Sequence, residues 1–311
     1  MQPFDIQING YAGVDFCDSG LTAEKLHHAC LEIEKDGCDS ILATVISDTI
    51  ENLSAKLKHL VALRRADEAV ARVIRGFHVE GPFLNPAPGY RGAHPKEVMI
   101  SADVDSAKKL TDACDGLLRL VTLAPECDPG FATTRFLVDQ DIVVSAGHCD
   151  PSLDQLKGAI DAGLSMVTHF GNGCPVDLPR HDNVLQRFLH CREHLWFCFI
   201  PDGAHVDFYT LRNYLDLVGV ERCIMVTDAI AAAKMPPGRY PLSGFEVEVD
   251  SEGVARRPGS ENLAGSTITM PRIMANLSEH LQCTSAEIAQ LIDSNPRKAL
   301  HLDDSSGRRT Q

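Results

Sequence analysis

Four side chains able to do acid–base or metal chemistry stand where short apolar runs end. They are Glu80, His148, His169 and Asp228, which close the runs Val73–Glu80, Ile142–His148, Met166–Phe170 and Cys223–Asp228. Residues this far apart in sequence meet at one mouth if the runs are parallel strands of a barrel. One Glu and two His form a nitrogen and oxygen donor set for a divalent metal. Three such ligands leave a fourth position for water, the pattern of a catalytic rather than a structural zinc site. Asp228 is then the natural proton carrier for attack by water on a carbonyl. His205, just beyond the run Leu195–Pro201, is placed to polarise that carbonyl or hold substrate, and Gln7 and Asn9 line the end of the first run.

The elements that must position these residues alternate along the chain. Strand-like runs are Phe4–Asn9, Ser40–Val45, Val73–Glu80, Leu117–Pro125, Ile142–His148, Met166–Phe170, Leu195–Pro201 and Cys223–Asp228. Several are rich in Val and Ile, as strands buried on both faces are. Helical patterns fall at Thr22–Lys35, Thr49–Glu68, Asp105–Ala113, Asp128–Gln140, Ser152–Ala162 and Phe208–Val218. Thr22 and Gly37 delimit the first, and Asp154 and Gly163 read as caps of the fifth. Eight strand-then-helix units predict an α/β fold, a (β/α)8 TIM barrel of the metal-dependent hydrolase type. A doubly wound open sheet is the alternative. Two regions break the rhythm: the Gly/Pro-rich stretch Phe83–Pro95, and Lys234–Ser266, in which a small hairpin insertion is expected at about 236–262. Residues 1–302 are expected to form one catalytic barrel, and 303–311 a polar tail.

The 311 residues are 44% hydrophobic and 23% charged, an ordinary globular composition, and the formal charge is −14. That balance argues against nucleic acid or an anionic membrane as the partner. The 11 cysteines contain no CxxC pair, which fits reduced, buried thiols. From its first residues no signal peptide is expected, and no apolar run approaches the ~20 residues that span a bilayer. A cytoplasmic protein is expected.

At this point the residues resemble a family, the N-acetylglucosamine-6-phosphate deacetylases of the amidohydrolase superfamily. The stretches that carry the resemblance are DIQINGYAGVDF at 5–16, GFHVEGPFLNP at 76–86, RGAHP at 91–95, SAGHCD at 145–150 and VTHFGNGCP at 167–175. They continue with DGAHVD at 202–207, VTDAIAA at 226–232, LAGSTITM at 263–270 and NPRKAL at 295–300. The resemblance implies one zinc or iron ion on Glu80, His148 and His169, with Asp228 as catalytic acid and base. Gln7-Ile8-Asn9 stands where many other amidohydrolases have HxH, as in family members that use one metal. Ala93, His94, Asn172, Gly173, Arg180, Asp202, His205 and Leu263, Ala264, Gly265 correspond to substrate-binding positions. Arg180 and His205 are the implied phosphate partners; an arginine fork suits phosphate, and in the family a homodimer can bring such an Arg from the neighbouring subunit.

Three departures stand out. The family usually carries segments before the first strand and after the last helix that build a small β-sandwich; this chain is expected to have little or none of it, with 245–257 as a remnant. FGNGCP at 170–175 places Gly171, Gly173 and Cys174 where the family has larger residues, which predicts more room beside the sugar. Cys149 follows His148, but alternate residues of a strand face opposite ways, so it is not expected to be a ligand. The leading reading is hydrolysis of the N-acetyl group of N-acetylglucosamine 6-phosphate. The others are an amidohydrolase acting on a different N-acyl sugar, such as N-acetylgalactosamine 6-phosphate, or on an N-acyl amino acid or cyclic amide, and an inactive barrel with a regulatory role.

Overall fold

The computed structural model describes residues 1–260 and 262–302; the expected polar tail at 303–311 lies outside the described residues. Eight strands run parallel and neighbour one another in chain order: β1 (Phe4–Ile8), β2 (Ser40–Ile46), β3 (Ile74–Glu80), β4 (Leu118–Leu123), β5 (Val143–Ala146), β6 (Met166–Val167), β7 (Trp196–Phe199) and β8 (Cys223–Met225). Every residue of β1, β2, β5, β6 and β8 is buried, so most of these positions are apolar and the few polar ones, such as Asp5, Gln7, Thr44 and Ser145, are buried with them. The ring closes just past β8. Asp228 N donates to Gln7 O at 2.9 Å and Asn9 N to Ala229 O at 2.7 Å, and Ile8 bridges Ala229 in parallel. The fold is a (β/α)8 barrel, as expected.

A helix follows each strand: α1 (Ala23–Lys35), α2 (Ile50–Ala66), α3 (Val104–Ala113), α4 (Ala132–Asp139), α5 (Leu153–Asp161), α6 (Val184–His190), α7 (Phe208–Val218) and α8 (Met270–Glu279). Thr22 and Thr49 cap α1 and α2 through their hydroxyls. The cap of α5 is Ser152, in a reciprocal box with Gln155, and not Asp154, which sits in the first turn. The Asp128–Gln140 pattern becomes a helix only from Ala132, because the Asp128 carboxylate draws in the N–H groups of Thr133 and Thr134 at 3.0 and 2.8 Å. No helix among the described residues is long and apolar enough to cross a membrane.

The insertion after β8 is more than a hairpin. Strands β9 (Gly238–Leu242), β10 (Phe245–Val249) and β11 (Ala255–Arg256) form a three-stranded antiparallel sheet. Asp250 makes the turn, accepting from the N–H groups of Glu252 and Val254 at 2.9 Å each and pairing with Arg256. That turn returns the chain alongside β10. Leu263 to Gly265 then lead into Ser266, whose N–H donates to Asp228 O at 2.9 Å.

Inside the barrel, below its C-terminal mouth, lies a polar layer. His78 Nε2 is 2.8 Å from Thr122 Oγ1 and its Nδ1 3.3 Å from Thr44 Oγ1. Thr168 Oγ1 lies 2.7 Å from both Thr122 Oγ1 and Ser145 Oγ. Burial pushes His78 down to about 4, so this layer is uncharged at neutral pH. It sits directly beneath Glu80, two residues further along β3.

Candidate active site

Glu80 is the last residue of β3, while His148, His169 and Asp228 lie just beyond β5, β6 and β8. The last three have φ of 53°, 32° and 49°, left-handed values that cost energy in residues with a Cβ. The strand ends therefore turn sharply, aiming each side chain into the mouth instead of along the sheet.

Glu80 Oε1 lies 3.0 Å from His169 Nε2 and 3.2 Å from His148 Nε2, and the two imidazole nitrogens are 3.1 Å apart. His148 Nδ1 is 2.8 Å from Tyr90 O. A carbonyl only accepts, so Nδ1 carries a ring proton and Nε2 is the nitrogen turned toward Glu80. Burial pushes Glu80 up, but the two imidazoles together outweigh it and hold the carboxyl well below its ordinary range. A carboxylate and two imidazole Nε2 atoms thus converge in a buried space, an arrangement that suits a cation. The donor atoms of Glu80, His148 and His169 all lie within 4.8 Å of one another. The donor set and its spacing fit one divalent metal. His169 Nδ1 is buried with no hydrogen-bond partner among the described residues. Cys149 is buried and outside the cluster.

Two glycines press against the His148 ring. A Cβ on Gly92 would lie 2.9 Å from His148 Cε1, and one on Gly173 would lie 3.0 Å from Nδ1; both have positive φ. A Cβ on Gly171 would meet Val206 and Tyr214, at 3.2 and 3.9 Å. Gly171 and Gly173 both line the site's cavity, and an added Cβ at either would press on a neighbouring side chain.

Asp228 is 8% exposed. Its Oδ1 accepts from Asn9 Nδ2 at 2.7 Å and from Gln7 Nε2 at 3.2 Å, and Gln7 Nε2 also lies 3.2 Å from Glu80 Oε2. Burial, reinforced by the charge of Glu80, pushes Asp228 up to about 7. His94 Nδ1 is 2.8 Å from Ser47 Oγ, whose hydroxyl donates to Glu80 O at 3.3 Å. His94 Nδ1 is thus the donor of that pair and Nε2 is an acceptor. Burial, then the neighbouring His148, push His94 down to about 3, so it is neutral. His205 Nδ1 is 2.7 Å from Asp202 Oδ2.

These groups surround one cavity of about 430 Å³. Asn9, Glu80, Ala93, His94, His148, His169, Asn172, Gly173, His205, Asp228, Leu263, Ala264 and Gly265 line it. Three expected site residues do not. Gln7 lies behind Asp228 and Glu80. Asp202 reaches the cavity only through His205, because its carboxylate is taken up by the ring and by the N–H groups of Ala204 and His205. Arg180 is exposed on the loop after β6, and no Lys or Arg stands among the lining residues. Ile46, Leu185, Ile200, Ile230 and Leu242 also line the cavity and were not expected. Ile46 and Ile200 carry a strand-end signal; the others have none.

No protein-family model matches the chain. Among curated proteins, it is 31% identical over 307 residues to the N-acetylglucosamine-6-phosphate deacetylase of Bacillus subtilis (strain 168), covering 97% of this chain and 75% of that one. It is 30% identical over 299 residues to the N-acetylgalactosamine-6-phosphate deacetylase of Escherichia coli O157:H7, covering 96% and 77%. Among solved structures, a point mutant of the N-acetyl-D-glucosamine-6-phosphate deacetylase from Mycobacterium smegmatis, in complex with N-acetyl-D-glucosamine-6-phosphate, matches with a TM-score of 0.88 at 29% identity, over 97% of this chain and 77% of that one. Barrel, mouth residues and relatives agree, and the chain belongs to the N-acetylglucosamine-6-phosphate deacetylase family.

Proposed function

We propose that the chain hydrolyses the acetamide of N-acetylglucosamine 6-phosphate, giving glucosamine 6-phosphate and acetate. The observation that carries this reading is the convergence of Glu80, His148, His169 and Asp228 on one cavity in a chain of this family. Glu80, His148 and His169 would hold a zinc or iron ion, which when bound would supply Lewis acidity and a water of lowered pKa. Zinc suits the one-carboxylate, two-imidazole set best.

Asp228 supplies the proton traffic. Asn9 and Gln7 donate to Oδ1, which stabilises negative charge there and leaves Oδ2 as the oxygen that exchanges protons. Oδ2 takes a proton from the attacking water and returns it to the leaving nitrogen, so that water and amide become carboxylic acid and amine. The neutral His94 offers Nε2 to a sugar hydroxyl. His205, backed by Asp202, faces the carbonyl or the phosphate. The lack of Lys and Arg in the cavity, with Arg180 exposed nearby, supports a homodimer in which Arg180 serves the neighbouring subunit's phosphate site. Residues 1–302 act as one catalytic unit, and the cysteine spacing supports a reducing, cytoplasmic setting.

The test is acetate release by zinc-loaded protein, with Asp228→Asn alongside. The variant is expected to keep its metal and lose about a thousandfold in kcat; undiminished turnover overturns the assignment. The galactosamine epimer is the second reading, favoured by the near-equal identity to its deacetylase. Comparing kcat/KM for the two epimers decides between them.

A further inference from the structure

The loop between His169 and α6 forms one wall of the cavity; Cys174 and Leu178 pack against the core, but few hydrogen bonds hold it. Residues 173–182 contain no helix or strand, and they supply Gly173, Cys174, Pro175, Val176 and Leu178 to the lining. Among the described residues, its hydrogen bonds to the rest of the chain are a local one from Asn183 Nδ2 to Pro179 O at 2.8 Å and one from Arg187 Nε to Asp182 Oδ1 at 2.7 Å. Arg187 stands on α6, with only 17% of its side chain exposed. The other arm of its guanidinium points to the end of β5. Nη1 lies 2.9 Å from Asp150 Oδ1 and 3.0 Å from Pro151 O. Asp150 is two residues past the metal ligand His148. It also hydrogen-bonds the Tyr90 phenol, on the loop whose carbonyl fixes the His148 ring.

We infer that Arg187 is a positioning residue that locks the cavity-lining loop after β6 onto the end of β5 before substrate arrives. A guanidinium is the side chain for this, since its planar fork serves two carboxylates in different directions, which an ammonium on a flexible stem does not. The stabilisation of the whole fold is small, because Asp182 is 82% exposed and such pairs contribute little. The effect falls on binding. A loop left free must be ordered by the substrate, at the expense of affinity. Arg187 touches no reacting atom, so the chemical step keeps its rate.

This inference rests on the deacetylase reading for its kinetic readout but not for its structural one. Arg187→Met is expected to raise KM for N-acetylglucosamine 6-phosphate about three- to tenfold with kcat within about twofold. Zinc content stays unchanged, and Asp182→Asn, which cuts only the loop side, reproduces most of the KM rise. Independently, thermolysin, which cuts before large apolar residues, is expected to cleave within residues 174–179 at least about fivefold faster in Arg187→Met. An unchanged cleavage rate, or a loss of zinc together with kcat, overturns the proposal. The second outcome would make Arg187 a support of His148 instead. Parent protein with no deacetylase activity would sink the functional reading while the cleavage comparison still decides the role of Arg187. If Arg187→Met fails to fold, Asp182→Asn alone reads the KM effect, and no rise there counts against the lock.

Discussion

Asn9 Nδ2 lies 2.7 Å from Asp228 Oδ1, and that contact makes the two oxygens of one carboxylate unequal. A charge-assisted bond of this length is among the stronger ones available to a neutral side chain. Asn9→Leu keeps the volume and removes the donor. It is expected to lower kcat about tenfold to a hundredfold, with metal content unchanged. Steady-state kinetics beside metal analysis check this, and an unaltered kcat would show that Asp228 needs no such partner.

Gly92 leaves no room for a side chain beside His148. Its φ is 56° and an added Cβ would lie 2.9 Å from His148 Cε1. Gly92→Ala is therefore expected to push the imidazole off its line and weaken zinc binding about tenfold or more. Competition against a chelating dye measures it, and parent-like affinity would mean that the loop yields instead of the ring.

Ser47 decides which face of His94 meets the substrate. Its oxygen accepts from His94 Nδ1 at 2.8 Å, committing Nε2 as an acceptor. Ser47→Ala releases the ring to either tautomer. The expected result is a KM raised about fivefold, the worth of one hydrogen bond, with little change in kcat. Equal KM in the two proteins would remove His94 from sugar recognition.

Asp5, far below the mouth, carries a pH signature of stability. It is 1% exposed and accepts from Thr227 Oγ1 and the N–H groups of Gln7 and Thr227. Burial wins over those bonds and pushes it up to about 6. In the unfolded chain its pKa is near ~3.9. Between roughly pH 4 and 6 the folded state thus binds more protons, and stability falls as pH rises. Asp5→Asn is expected to remove that slope and gain on the parent by on the order of 2 kcal/mol above about pH 6. Urea titrations across this range test it; parallel curves for the two proteins refute it.

The barrel and its metal donors are legible in the sequence for a physical reason. Strands buried on both faces must be short apolar runs, and a barrel brings all their C-terminal ends together, so Glu80, His148 and His169 could be grouped without knowing any contact. Other features turn on tertiary geometry that no residue type announces. The helix α6 is only seven residues long and follows a loop of Gly, Pro and Asp, so its pattern is too brief to read. Ser152 outcompetes Asp154 for the cap because the Gln155 side chain reaches back to it. Asp202 and Arg180 have the right chemistry for a substrate site, yet one is spent on His205 and the other points to solvent. Leu185 and Leu242 line the cavity as ordinary apolar residues, and Arg187 looks like any charge on a short helix.

Asp228 sits on the seam where the barrel closes. The strands that meet there, β1 and β8, are the first and last of the barrel, and the bonds across the seam run between Gln7 or Asn9 and Asp228 or Ala229, more than 200 residues apart. Contacts of such separation are slow to form, because a long stretch of chain must be closed into a loop first. The proton carrier is thus in place only once the barrel ring has closed. During refolding, helix content and metal binding at Glu80, His148 and His169, all within the middle of the chain, can recover while the ring is still open. Turnover can return only once the first and last strands have found each other, which makes enzymatic activity a clock for the completion of the barrel.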